Sequence, residues 1–175
     1  MTAAALRAFN DLDADTALAT TLAICASPVW ARALVAGRPY PAPAALLELA
    51  HRELERLSDT EFATALAGHP RIGDRTGGAM SRREQSGMAD ADSATRAELR
   101  RLNRRYEQRH GQVYLVDAAG RSAAELLAIL TTRIDNDTAA ERAIARRELG
   151  AINRNRLRLL LAGAPAPDPR GVDRS

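Results

Sequence analysis

Cysteine occurs once, at Cys25, so no disulfide can form within the chain, and the count fits a reducing cytoplasm. Its apolar neighbours mark it as a small core residue rather than a reactive thiol. No stretch approaches the roughly 18 apolar residues of a membrane-crossing helix. The opening MTAAALRAFNDLDAD lacks the basic-then-apolar order of a secretory leader. Aromatic residues make up only 3% of the 175 residues, yet 46% are apolar, ordinary for a globular core and too high for a mostly disordered chain. Collagen-like, coiled-coil and disulfide-scaffold compositions are excluded. Lysine is absent, and all 25 basic residues are arginine, which a GC-rich coding bias explains. Arginine stays protonated far above neutral pH, so the pI of 9.7 goes with a net charge of only +3.

Ligand spacings for a metal are also missing. His51, His69 and His110 are dispersed, and there is no HxxxH, HExxH or CxxC. No GxGxxG or Walker A segment offers a phosphate cradle, and no GxSxG elbow occurs.

What is present reads as helix after helix, because Ala, Leu and Arg are strong helix formers and β-branched runs are scarce. The first helix is expected from Asp15 to Ala26. Ser27 caps the next, with Pro28 at its first position and Gly37 beyond its end. Pro43 opens a helix carrying Leu46, Leu49, Ala50, Leu54 and Leu57 on one face. Ser58 with Glu61, Ser81 with Glu84, Ser122 with Glu125 and Thr138 with Glu141 have capping-box spacing. A longer helix is expected from Ser93 to His110, with Leu99, Leu102 and Tyr106 inward and Gly111 as its stop. Val113–Val116 is too short and solitary for a sheet and reads as a buried extended segment. The last helix carries Leu149, Ile152 and Leu160 inward, and the Pro-rich tail 164–175 reads as disordered. The expectation is an all-α, compact, single-domain bundle of about eight helices spanning residues 1–163, with one irregular loop.

That loop, HPRIGDRTGGAM, opens with His69. Loops of about 12 residues are often functional, and imidazole is the natural proton carrier near neutral pH. The alternative is a ring that only hydrogen-bonds a helix end. His51 reads as a surface residue and His110 as a C-terminal helix residue. In SRREQSG, Glu84 either completes a cap with Ser81 or turns toward His69, where a carboxylate would orient the imidazole and raise its pKa. The Arg-dense stretch RAELRRLNRRYEQRH could contact nucleic acid or form a solvated helix face with Glu98 and Glu107 interspersed.

HPRIG at His69–Gly73, followed by S-x-x-E-Q at Ser81–Gln85 in an all-helical chain, resembles the 2-oxo-4-hydroxy-4-carboxy-5-ureidoimidazoline (OHCU) decarboxylase family. FNDLD, ICASPVWARAL with GRPY, LNRRYEQRHG, the Arg133, Asn136 and Glu141 set, and INRNRLRLLL extend the likeness from Phe9 to Leu161. The chain departs where His110 replaces an aromatic, where Gln112, Val113 and Tyr114 replace Phe-Pro-Phe, and where Asp117 replaces a cysteine. The resemblance implies a cytoplasmic homodimer that decarboxylates a small molecule without cofactor or metal, giving (S)-allantoin, with no nucleic-acid or membrane partner. It implies His69 as general acid/base and Glu84 as the group that orients it. Pro70, Ser81, Arg82, Arg83 and Gln85 would form a polar wall, and the backbone of Tyr114, Leu115, Val116, Asp117 and Ala118 would grip the substrate. Arg133 is either a counter-ion for the anionic substrate or one half of a structural ion pair. The competing readings are an Arg-rich nucleic-acid-binding protein and a non-catalytic helical interaction module.

Overall fold

A computed structural model of the chain describes residues 3–73, 84–89 and 91–163. Among these the structure is all-α: α1 (Ala3–Asp11), α2 (Ala14–Ile24), α3 (Pro28–Ala36), α4 (Pro43–Glu55), α5 (Asp59–Ala67), α6 (Ser93–His110), α7 (Ala123–Arg133) and α8 (Thr138–Leu161), with a 3₁₀ turn at Ser86–Met88. Residues 113–118 are extended but pair with no strand, and Tyr114, Leu115 and Val116 are buried. None of the described helices is long and apolar enough to cross a membrane.

Local chemistry sets most of the helix ends. Each N-terminus leaves orphan N–H groups that a side chain must meet. Ser27 accepts from Trp30 N at 3.3 Å, and Asp92 accepts from Thr95 N at 2.6 Å. Ser58 with Glu61 and Ser122 with Glu125 form reciprocal capping boxes. Gly111 ends α6 in the left-handed region at φ 66°, which glycine adopts without steric cost.

The described residues form two compact units, one comprising the residues up to Gly68 together with those from Gly150 onward, the other running from His69 to Leu149. In the first unit the fully buried Trp30 donates its indole N–H to Ala50 O at 2.8 Å. Arg156 donates to Ile24 O at 2.8 Å. Helix α1 was not anticipated, and it depends on distant groups. Leu6 and Phe9, three residues apart, are its buried pair. Arg38 Nη1 donates to Phe9 O at 3.0 Å and Leu12 O at 2.6 Å, satisfying carbonyls at the helix end. The same guanidinium lies 5.7 Å from the Phe9 ring centroid.

The second unit packs around Leu99, Leu102, Tyr106, Tyr114, Leu126, Leu130 and Ile134, with Ile72 and Met88 in the same cluster. Here one capping expectation fails. Asp137, not Thr138, caps α8, accepting from Ala139 N at 2.8 Å and Ala140 N at 3.2 Å. Thr138 Oγ1 instead lies 3.3 Å from His110 Nδ1. Glu141, freed from the cap, turns inward and is fully buried. Its carboxylate receives Tyr106 OH at 2.6 Å, Asn136 Nδ2 at 2.7 Å, and Arg133 Nε and Nη2 at 3.0 and 2.8 Å. Leu160, expected inward on α8, is only half-buried, while Leu157 and Leu161 are buried.

Burial alone would raise the Glu141 pKa. Hydrogen bonds from Arg133, Tyr106 and Asn136, with the Arg133 charge, outweigh it and hold the carboxyl below its ordinary 4.5. A carboxyl with a depressed folded pKa adds stability above its unfolded value, and that stability disappears as pH falls through the folded value. Glu141→Gln should therefore flatten the acid dependence of unfolding from about pH 4.5 downward, read by circular dichroism in urea. At neutral pH it should cost about 3–5 kcal/mol, because Arg133 is left buried without its anion.

Candidate active site

His69 follows Gly68, just past the end of α5, and its side chain is buried. The three residues Arg71, Ile72 and Gly73 are each held from outside the loop. Arg71 donates Nε and Nη2 to the two carboxylate oxygens of Glu107 at 2.6 and 2.9 Å. Ile72 O accepts from Asn103 Nδ2 at 3.0 Å. Gly73 N donates to Gln85 Oε1 at 2.9 Å, and Gln85 Nε2 donates to Arg71 O at 3.4 Å. Gly73 has φ 87°, a conformation that side chains rarely adopt. Asn103 and Glu107 are four residues apart on α6 and so share a face.

Gln85 is itself fixed by the short turn on its C-terminal side. Met88 N donates to Gln85 O at 2.9 Å, which closes the 3₁₀ turn. Met88 enters the core beside Ile72. Arg96 donates to the carbonyls of Met88, Ala89 and Ala91. Gly87 lies so close to the Arg121 carbonyl that an added Cβ would fall inside its oxygen.

The 114–118 segment is tied down at alternate groups. Leu115 O accepts from Arg133 Nη1 at 2.8 Å. Asp117 N donates to Glu148 Oε2 at 2.8 Å, and Asp117 O accepts from Arg121 Nε at 2.9 Å. Ala118 O accepts from Arg121 N at 3.1 Å. Among the described residues, no hydrogen bond engages the N–H of Leu115, Val116 or Ala118, or the C=O of Val116.

Of the residues singled out from sequence, the structure brings Gln85 onto the loop that His69 opens. Pro70, Glu84 and Asp117 are half-buried. Ser81, Arg82 and Arg83, and with them the expected Ser81–Glu84 cap, lie outside the described residues. Arg133 forms the ion pair of its structural alternative, with Glu141 at 2.8 Å. Each of its nitrogens is engaged, by Glu141 and Leu115 O, and its guanidinium lies 5.0 Å from the Tyr114 ring centroid. Burial opposes its protonation, but the Glu141 carboxylate more than compensates and raises its pKa. Burial likewise pushes the Tyr106 phenol up to about 12, with the Glu141 hydrogen bond adding to it.

Gly87 was not singled out, and Asn103 and Glu107 entered only within the LNRRYEQRHG likeness, with no role at the site. Glu107 had been assigned to a solvated face. Its four-residue spacing from Asn103 was the available signal, but the loop they hold lies more than thirty positions away. The arginines of the same helix are largely occupied: Arg101 pairs with Glu98 at 2.6 Å and Arg105 with Asp135 at 3.2 Å, and Arg109 donates to Asp135 O at 3.2 Å. This arrangement fits a solvated face better than a phosphate-binding stripe. Among the described residues no three His, Cys, Asp or Glu side chains are grouped to hold a metal ion.

Fold and site together define an all-helical protein in which a histidine-bearing loop is clamped by side chains of a second motif and of a long helix. A family model described as OHCU decarboxylase matches residues 10–158, and the chain belongs to that family. The chain is 26% identical over 146 residues to the uric acid degradation bifunctional protein TTL of Arabidopsis thaliana. That match covers 79% of this chain and spans 45% of the length of its relative. Among solved structures, an OHCU decarboxylase crystallised in the presence of (S)-allantoin superposes with TM-score 0.73 at 22% identity, covering 81% of this chain and 96% of that one. An (S)-allantoin synthase gives TM-score 0.71 at 16% identity over 89% of this chain and 53% of that one. At these identities the two structures establish a shared fold.

Gly87→Ala tests how tightly the clamp is built. The intruding methyl meets backbone rather than a flexible side chain, so the turn or the backbone at Arg121 must move. The variant should lose about 1–3 kcal/mol, read as a lower midpoint in urea unfolding.

Proposed function

We propose that this chain decarboxylates OHCU to (S)-allantoin within urate breakdown, without a cofactor. The observation that carries the reading is the bond between its two motifs: Gly73 of HPRIG donates to Gln85 of S-x-x-E-Q. Motif residues that meet in space around a loop histidine are what a shared site requires, and chance sequence likeness would not require it.

The chemistry needs little from the protein. Loss of CO2 leaves an electron pair on the carbinol carbon, and the adjacent C=N bond of the ring takes it up as that nitrogen gains a proton. The resulting enol then loses its hydroxyl proton and gains one at the ureido-bearing carbon, which gives the carbonyl and the stereocentre of the product. The protein must orient the carboxylate, move the hydroxyl proton and choose one face. His69 is the general acid/base in this reading. Glu84 orients it and favours its charged form. Pro70 and Gln85, with Ser81, Arg82 and Arg83, form the polar wall. The uncommitted N–H groups of Val116 and Ala118 and the C=O of Val116 face the amides of the substrate. This refines the expectation for the segment, since Leu115 O, Asp117 N, Asp117 O and Ala118 O are already bonded within the protein. Homodimerisation and a cytoplasmic location are carried over from the family, and the single buried thiol of Cys25 is in keeping with the latter.

The test generates the unstable intermediate in situ from urate and follows the optical activity of the allantoin formed. Spontaneous decay gives racemate, whereas the protein should accelerate formation of the (S) product. Racemate at the uncatalysed rate would overturn the reading.

His69→Asn should remain folded and lose about 10²- to 10⁴-fold in turnover, the usual contribution of a general acid/base. Glu84→Gln keeps shape and capping ability but loses charge. It should hold its melting temperature while turnover falls about tenfold, equivalent to about 1.4 kcal/mol of barrier. Its pH optimum should move down, because an imidazole without its carboxylate releases its proton more readily. An unchanged rate and pH profile would remove Glu84 from the site.

A further inference from the structure

We infer that Asn103 is a substrate-binding residue, whose Oδ1 accepts an N–H of the substrate's ureido or ring amide. The inference rests on the function proposed above. The Asn103 side chain is only 2% exposed. Its Nδ2 is committed to Ile72 O at 3.0 Å, which fixes the orientation of the carboxamide. Its Oδ1 is buried and has no hydrogen-bond partner. Such an acceptor costs folding free energy that the apolar core could have avoided. Four other polar side chains of the same unit, Tyr106, Glu141, Arg133 and His110, have partners. The open atom thus belongs to a buried polar residue of α6 that touches the loop opened by His69.

The balance of donors and acceptors points the same way. On the side of the Val116 carbonyl, the uncommitted backbone of the 114–118 segment offers the N–H groups of Val116 and Ala118 but only that one carbonyl as acceptor. A ureido group carries more N–H bonds than one carbonyl can accept. Ile72, which Asn103 holds, packs in the same core cluster as Val116 and Ala118. Asn103 Oδ1 supplies the missing acceptor on that cluster. One carboxamide then does two things at once: it anchors the loop through its N–H and reads the substrate through its oxygen.

Two variants and one wild-type measurement test this, with (S)-allantoin as the binding probe. Asn103→Leu keeps the bulk and removes the acceptor. It should weaken (S)-allantoin binding tenfold or more by calorimetry and raise KM for the intermediate similarly, leaving the pH profile of kcat unmoved. Asn103→Asp, assayed at mildly alkaline pH, keeps acceptor oxygens but loses the donor to Ile72. It should bind (S)-allantoin within a few-fold of wild type. If Asn103 is only a loop anchor, both variants should lose thermal stability and kcat alike, with affinity unchanged, and the inference fails. In the wild-type protein the Asn103 side-chain amide resonances should shift when (S)-allantoin is added. This readout stands even if neither variant folds, and unshifted resonances at saturation would overturn the inference. Wild-type protein that neither turns over the intermediate nor binds (S)-allantoin would instead overturn the proposed function itself.

Discussion

A fully buried carboxylate can exist only if its surroundings meet its charge and its lone pairs. Glu141 is such a group, and the second unit is arranged around that demand. It draws in Tyr106 from α6, Arg133 from the end of α7, and Asn136 from the turn before α8. Arg133 passes the constraint on, because its remaining nitrogen holds the Leu115 carbonyl and its plane faces Tyr114. Apolar replacement of such a pair is often no less stable, so stability alone does not account for it. What the pair adds is direction. Successive peptide groups in an extended chain point to opposite sides, so turning Leu115 O inward presents the Val116 carbonyl the other way.

The loop that His69 opens is governed by a different logic. Its grip comes from neutral carboxamides and one exposed ion pair, each of modest strength. The contacts fall on Arg71, Ile72 and Gly73 in turn, and they come from two places, Gln85 and the Asn103–Glu107 face of α6. Several weak restraints on adjacent residues fix a backbone more firmly than one strong one, since each removes a different torsional freedom. For a reaction in which the substrate supplies its own electron sink, fixing geometry is the larger part of what a protein contributes.

Features legible in the sequence were those whose cause is local. Ser27, Ser58, Ser122 and Gly111 set helix ends through partners within a few residues, and the helices fall where those residues place them. Helix α1 was invisible because Arg38 and Tyr40, which hold its far end, stand about 30 positions away. Thr138 and Glu141 mimic a capping box in spacing, but Asp137 reaches the orphan N–H groups first and Glu141 is claimed by Arg133. The loop histidine and Gln85 stood out through motif and irregularity. Asn103 belonged to the LNRRYEQRHG likeness but carried no role there, because its partner lies 31 residues earlier.

The Gly73 amide has an unusual custodian. Most protected N–H groups are bonded to backbone carbonyls in helices, and they exchange with solvent only when the element around them opens. Gly73 N–H is bonded to a side chain, Gln85 Oε1, whose rotamer can change without any helix unwinding. Its deuterium uptake therefore tracks the opening of the motif-to-motif contact separately from global unfolding. A single assigned resonance thus becomes a gauge of how often the site comes apart while the rest of the molecule stays folded.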